Sequence, residues 1–221
     1  MRTLLVGDVH GCARALDGLV AHAHPDHVVL LGDLFTKGPD PRGVWERIHS
    51  WKADCILGNH DFRVVQAWDG PEESKAYRAR LALPDAARDW IAALPLTWRA
   101  PGVVAIHAGV NPHGGADATD PVTAIIVRRW PDDLDRTNPF WWQLWKGPDR
   151  VVYGHDAMRG LQVRAHSIGL DTGCCYGHAL SGWLMETDEV FQVDPEGRPL
   201  VPPQRFWAEF SEPSPTGAPA T

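Results

Sequence analysis

The sequence predicts an α/β fold with a mixed sheet, and three observations carry that expectation. In the first half, short apolar runs that end in Gly-Asp, Gly-Asn or His alternate with segments of helical spacing. In the second half, strand-like segments follow one another closely, which calls for hairpin pairing as well. The chain also carries 21 Gly and 19 Pro in 221 residues, which excludes a helical bundle or a coiled coil. A hydrophobic share of 44 % supplies a sizeable core. The length fits one domain, expected over 1–210, better than two independent ones.

The elements follow in order. Residues 2–6 (RTLLV) form a buried strand that stops at Gly7-Asp8. Residues 13–23 place Leu16, Leu19, Val20 and Ala23 on one helical face. Residues 27–31 (HVVLL) are a second strand, ending at Gly32-Asp33. Residues 41–51 read as a helix with Val44, Trp45 and Ile48 on one stripe. Residues 53–57 are a third strand, running into Gly58-Asn59-His60. Helical stretches are expected at about 72–83 and 84–94. A strand at 102–106 ends at His107, and one at 150–153 (RVVY) ends at Gly154-His155. Strand-like segments near 166–170, 179–185 and 189–193 close the core. Residues 110–146, rich in Pro, Asp and Trp, are expected as a cap insert beside the site, and 211–221 (SEPSPTGAPAT) as a loose tail.

A formal charge of -7 argues against a non-specific nucleic-acid coat, which wants a positive surface. It leaves room for an anionic substrate where metal ions supply local charge. No apolar run approaches the roughly 20 residues that span a bilayer, and no basic-then-apolar leader precedes the first strand. Cys12, Cys55, Cys174 and Cys175 contain no CxxC pair, so they read as neither a disulfide framework nor a Cys-based zinc site. A reducing cytoplasm is the expected location.

One event recurs five times: an apolar strand ends, and an Asp, Asn or His stands at its carboxyl end. These residues are Asp8 and His10, Asp33, Asn59 and His60, His107, and His155. The carboxyl edge of an α/β sheet is where ligands collect, so they are expected in one crevice. Carboxylate oxygens and imidazole nitrogens in that mix suit Mn²⁺, Fe²⁺ or Zn²⁺. Taken singly, an Asp after a strand is usually a cap or turn former, the reading given to Asp17, Asp26, Asp54 and Asp85. The shared strand-end context is what sets the five-part group apart.

The segments GDVHG (7–11), GDLFTKGPD (32–40), GNHD (58–61), HAG (107–109) and YGH (153–155) resemble, in order, those of the calcineurin-like metallophosphoesterases. The branch holding phosphoprotein phosphatases and symmetrical diadenosine tetraphosphate hydrolases is the more similar one. LDTGCCYGHALSG (170–182) also resembles a segment of its bacterial members. The resemblance implies a four-layer sandwich of two mixed sheets flanked by helices. It implies two divalent cations, Mn²⁺ first, with Fe²⁺, Zn²⁺, Co²⁺ and Ni²⁺ as alternatives. Asp8, His10 and Asp33 would hold one cation. Asp33 would bridge to the second, completed by Asn59, His107 and His155. Such a pair activates a water for in-line attack on phosphorus. His60 resembles the general acid, a role an imidazole fills near neutral pH. Asp61 stands beside it among the catalytic candidates, although its own context reads as a carboxylate fixing a helix start or loop.

The departures bear on substrate. Thr36 stands where the phosphoprotein phosphatases carry an Asp that orients the catalytic His, and Lys37 replaces a phosphate-binding Arg. A Lys offers a point charge where an Arg offers a bidentate fork. Arg63, Arg128 and Arg129 are further candidates for substrate phosphate, and His178 for the pocket wall. Asp171 is read as fixing a turn, and Cys174 and Cys175 as packed apolar side chains. Trp130, Trp141, Trp142 and Trp145 either stack a nucleobase or pin the segment onto the sheet, and pinning is preferred.

The best reading is a bacterial serine/threonine-phosphatase-like phosphatase, with a symmetrical dinucleoside polyphosphate hydrolase as the alternative. The substrate is then a phosphorylated small molecule, a nucleotide or a phosphoprotein, with no membrane partner. A non-catalytic phosphopeptide-binding or scaffold module is the rival of another class, and it predicts missing ligands where all six are present. Ala157, two positions after His155, supplies no second ligand, which argues against a nuclease with a GHxH pair.

Overall fold

Thr3–Val6 (β1) is buried along its whole length, because both of its faces meet apolar layers. Leu4 and Val6 point to one layer and Leu5 to another, the period-two alternation of a strand sandwiched between them. This computed structural model describes residues 1–68, 70, 74–201 and 203. The expected tail at 211–221 and the start of the helix expected at 72–83 lie outside the described residues.

Two five-stranded sheets form the centre. The first has the order β10 (Glu189–Val193), β9 (Leu180–Leu184), β1, β2 (His27–Leu30), β3 (Asp54–Cys55). β1, β2 and β3 are parallel to one another, while β9 runs antiparallel to both β1 and β10. The second sheet has the order β4 (Thr97–Ala100), β5 (Val103–Ile106), β6 (Arg150–Tyr153), β8 (Ser167–Gly169), β7 (Gln162–Val163). Its β5, β6 and β8 are parallel and its edge strands antiparallel.

Leu5, Val29, Leu31 and Ile56 from the first sheet meet Val103, Ala105, Val152 and Ile168 from the second, so the sheets pack face to face. Each of these larger aliphatic side chains contributes roughly 1.5–3 kcal/mol through burial. The outer face of the first sheet packs on α1 (Ala13–Ala23), α2 (Pro41–Trp51), α3 (Asn59–Gln66), α4 (Lys75–Ala82) and α5 (Ala87–Ala92). The outer face of the second carries Val104, Ile106, Val151 and Tyr153. It is covered by α6 (Pro121–Ile126), α7 (Trp141–Leu144) and the loops around them. The result is the expected four-layer sandwich of two mixed sheets flanked by helices.

Most elements fall where their periodicity places them. α1 and α2 span the expected residues, and Pro41 at the start of α2 follows Asp40, whose carboxylate accepts from the Gly43 amide at 2.7 Å. The elements β4, β7, α3, α6 and α7 were not expected. β4 was not expected, because Thr97–Ala100 is a half-exposed edge strand with no clean alternation and exists through pairing with β5. α3 begins at Asn59, where a strand-end loop was expected: the Asp61 carboxylate accepts from the Gly58 amide and so starts the helix inside the motif.

Candidate metal centre

The parallel strands of both sheets deliver their carboxyl ends to one place. β1 leads to Asp8 and His10, β2 to Asp33, β3 to Asn59 and His60, β5 to His107, and β6 to His155. The turns there are tight enough that His10, Asp33, Lys37 and His155 all adopt positive φ, between 46° and 69°. Each non-glycine residue held this way costs about 1–3 kcal/mol, strain that clusters at functional sites. Two glycines permit the approach. A Cβ on Gly58 would stand 2.3 Å from Asp33 Oδ1, and one on Gly154 would stand 2.1 Å from Asp8 Oδ1.

Asp33 faces two groups of partners. Its Oδ2 lies 3.4 Å from His10 Nε2, which is 3.8 Å from Asp8 Oδ2. Its Oδ1 lies 3.5 Å from His107 Nε2. Asn59 Oδ1 lies 3.1 Å from His107 Nε2 and 3.2 Å from His155 Nδ1. Ligands that share one cation through bonds of about 2.1 Å stand roughly 3–3.5 Å apart, so these spacings fit two cation sites joined by Asp33. Ligand atoms of Asp8, Asp33 and His107 all fall within 4.8 Å of one another.

The imidazoles are oriented from behind. His107 Nδ1 donates to the Leu31 carbonyl at 2.7 Å, which leaves Nε2 unprotonated towards Asp33. His155 Nε2 donates to the Ile126 carbonyl at 3.1 Å, which leaves Nδ1 towards Asn59. His10 Nδ1 meets Thr36 Oγ1 at 3.1 Å, so Thr36 serves His10 and not the catalytic candidate His60. Outer partners of this kind fix the tautomer of metal-ligating histidines.

Burial and charge set the protonation states. Burial pushes Asp8 well above the ordinary carboxylate range, helped by Asp171 and Asp33. For Asp33, burial is outweighed by His107, His10 and His60, which hold it below that range. Burial lowers His10 to about 3 and His60 to about 4, and drives His155 well down. These imidazoles are therefore neutral at neutral pH in the free site, which for His10 and His155 is the form that ligates a cation.

A cavity of about 540 Å³ opens over the cluster. Asp8, Asp33, Asn59, His60 and His155 line it, and Lys37, Arg63 and Arg128 add cationic side chains. The Lys37 ammonium lies 2.8 Å from His10 Nε2. Arg128 donates to the His155 carbonyl at 3.2 Å and lies 3.6 Å from Asp156.

Three expected side chains are not at this cavity. Arg129 donates to the Asn138 carbonyl and covers the Phe140 ring at 4.0 Å, which turns it away from the site. Asp61 is fully buried and accepts from the Leu34 and Gly58 amides at 2.8 and 3.2 Å, and it does not line the cavity. His178 packs beside Gly173.

Asp171 and Tyr176, by contrast, line the cavity without having been assigned to it. Asp171 does fix its turn, accepting from the Gly173 amide at 3.1 Å, yet it also interacts with Asp8, and burial raises it to about 6. It follows β8 as Asp8 follows β1, so the strand-end rule applied to that strand finds it.

The tryptophans pin the covering segment. Trp141, Trp142 and Trp145 are buried, and Trp141 Nε1 donates to the Ala108 carbonyl at 3.1 Å, one residue from His107. None of the three lines the cavity.

A family model described as calcineurin-like phosphoesterase matches residues 1–182. The symmetrical bis(5'-nucleosyl)-tetraphosphatase of Bordetella pertussis is 26 % identical, with 87 % of this chain and 97 % of that protein covered. The protein of the same description from Neisseria meningitidis is 25 % identical, covering 87 % and 95 %. A solved structure provisionally described as a diadenosine tetraphosphatase is 31 % identical with a TM-score of 0.79, covering 87 % of this chain and 93 % of that one. A metallophosphoesterase from Sphaerobacter thermophilus, at 18 % identity and a TM-score of 0.61, shares the fold. The cluster of carboxylates and oriented imidazoles thus stands in a chain that belongs to the calcineurin-like phosphoesterases, hydrolases that use divalent metal ions.

Proposed function

We propose that the chain hydrolyses dinucleoside polyphosphates symmetrically. The observation that carries this reading is a site able to hold two cations at the floor of a cavity lined by Lys37, Arg63 and Arg128, which suits a chain of several phosphates. The relatives that share the fold over nearly their whole length carry that activity in their names, and they favour it over the serine/threonine-phosphatase-like reading that the sequence put first.

Asp8, His10 and Asp33 would hold one cation, and Asp33, Asn59, His107 and His155 the other, with Mn²⁺ the first choice. Bound divalent cations supply a water acidic enough to attack at neutral pH and neutralise phosphoryl oxygens. The chain's own residues do the rest. Lys37 and Arg128 draw the phosphate oxygens in, and Arg63 extends the cationic wall. His60 stands to protonate the leaving oxygen in its imidazolium form, which the negative charge of a bound phosphate favours over the neutral form of the free site. Asp61 keeps His60 in place from behind, because it fixes the helix start that carries it. Four cysteines standing as thiols accord with a cytoplasmic location.

A panel of substrates with Mn²⁺ tests the reading: diadenosine tetraphosphate, phosphoserine peptides and p-nitrophenyl phosphate. The expected result is preferential turnover of diadenosine tetraphosphate to two ADP. Preferential release of phosphate from the peptides would reinstate the phosphatase reading. Asp33→Asn is expected to remove activity on every member of the panel while the circular dichroism spectrum stays unchanged.

A further inference from the structure

Lys37 borders more than the metal-centre cavity. It also lines a cavity of about 380 Å³ formed with Phe35, Pro41, Lys75, Arg78 and Ala79. Among the described residues no carboxylate lines this second cavity. Lys75 and Arg78 lie in the first turn of α4, exposed, and their side chains make no ion pair or hydrogen bond among the described residues. Arg14, Arg42, Arg47, Arg99, Arg150 and Arg198, by contrast, all meet carboxylates.

We propose that the cavity at Lys75 and Arg78 is a second anion subsite, taking distal phosphates of a polyphosphate chain whose reacting phosphorus lies at the metal centre. This rests on the reading of the site as a polyphosphate hydrolase. Lys37 is the link, since it lines both cavities and its ammonium reaches His10 in the first. A Lys suits that position, because its rotatable ammonium follows a flexible phosphate chain where the fork of an Arg would fix one oxyanion. Two further cations beyond Lys37 lengthen the cationic path from one phosphate to several. The subsite therefore distinguishes a phosphate chain from a single phosphoryl group.

The test uses the full chain with Mn²⁺ held in constant excess. Orthophosphate, pyrophosphate and tripolyphosphate compete against p-nitrophenyl phosphate, and Ki is read for each. In the wild type, Ki is expected to fall with chain length. In Lys75→Gln/Arg78→Gln that gain is expected to shrink by about tenfold for tripolyphosphate, as two exposed charge contacts of modest strength would give. The Lys75→Arg/Arg78→Lys variant is expected to keep the gain. A double Gln variant with the same chain-length dependence as the wild type overturns the subsite. So does one that weakens orthophosphate as much as tripolyphosphate.

The outcomes separate this proposal from the one beneath it. A wild type that ignores diadenosine tetraphosphate but still binds longer phosphate chains more tightly overturns the substrate and supports the subsite. One that turns over diadenosine tetraphosphate without any chain-length gain overturns the subsite alone.

Discussion

Asp33 joins the two halves of the cluster: His10 meets one oxygen, His107 and the His60 amide the other. That shared carboxylate ties the position of His60 to the cations without making His60 a ligand. His60→Ala is therefore expected to spare metal content while slowing substrates with poor leaving groups most. A phosphate leaving group is a weaker base than an alkoxide and needs less help from an acid. Turnover of a phosphoserine peptide should fall by about 10²–10⁴, the usual contribution of general acid catalysis, and that of diadenosine tetraphosphate by less. Equal losses on both, or loss of metal by elemental analysis, would remove His60 from the acid's role. The proposed ligands were legible in the sequence because each ends an apolar run. The direction of Arg129 was not, because it depends on a stack with Phe140, eleven residues along.

At the scale of elements, two kinds of contact hold the strand ends together. The first is the close packing of loops across glycine. Gly58 has an ordinary extended backbone, with φ -99°, so an alanine there meets no conformational penalty, only the crowding of Asp33 and the Gly32 carbonyl carbon. Gly58→Ala is expected to push Asp33 aside and weaken metal binding, read by titration calorimetry, while the fold survives. The second contact is the tryptophan layer. Trp141 is 1 % exposed and packs edge-on against Tyr153 of β6, with ring centroids 5.0 Å apart. Trp141→Ala is expected to lower the unfolding free energy by about 3–5 kcal/mol in a denaturant titration, as large-to-small core changes do. A change under 1 kcal/mol would mean that the segment is not pinned there.

Periodicity made α1, α2, β1, β6 and β9 readable, since each shows a buried stripe or run of its own. β4 and the two-residue β7 exist only through their neighbours, and no local pattern marks them. α3 was hidden because its first residues carry the site motif.

The molecule as a whole is two sheets whose parallel strands point their carboxyl ends at one cluster, and that convergence places like charges side by side. Asp8, Asp33 and Asp171 crowd together, so removing the cations should unsettle the fold, in a pH-dependent way. The folded-state pKa of Asp8 stands above its unfolded value, as does that of Asp171 at about 6. In the metal-free chain, their contribution to stability is present below the unfolded pKa and is lost as pH rises through the folded one. His10, lowered to about 3, runs the other way: its contribution is present above its ordinary 6.5 and is lost as pH falls towards 3. Cations favour the ionised carboxylate and the neutral imidazole alike, so their stabilising effect should grow from pH 5 to pH 8. At pH 8, Mn²⁺ at a hundred times its Kd should add about 2.7 kcal/mol. For a chain of this length that raises Tm by about 5–10 °C over the value in excess chelator. At pH 5 the same comparison should give a clearly smaller rise, because protons compete for Asp8. Thermal unfolding with Mn²⁺ and with chelator at both pH values reads the difference directly. A rise that is equal at the two pH values, or larger at pH 5, would mean that Asp8 does not exchange a proton for a cation.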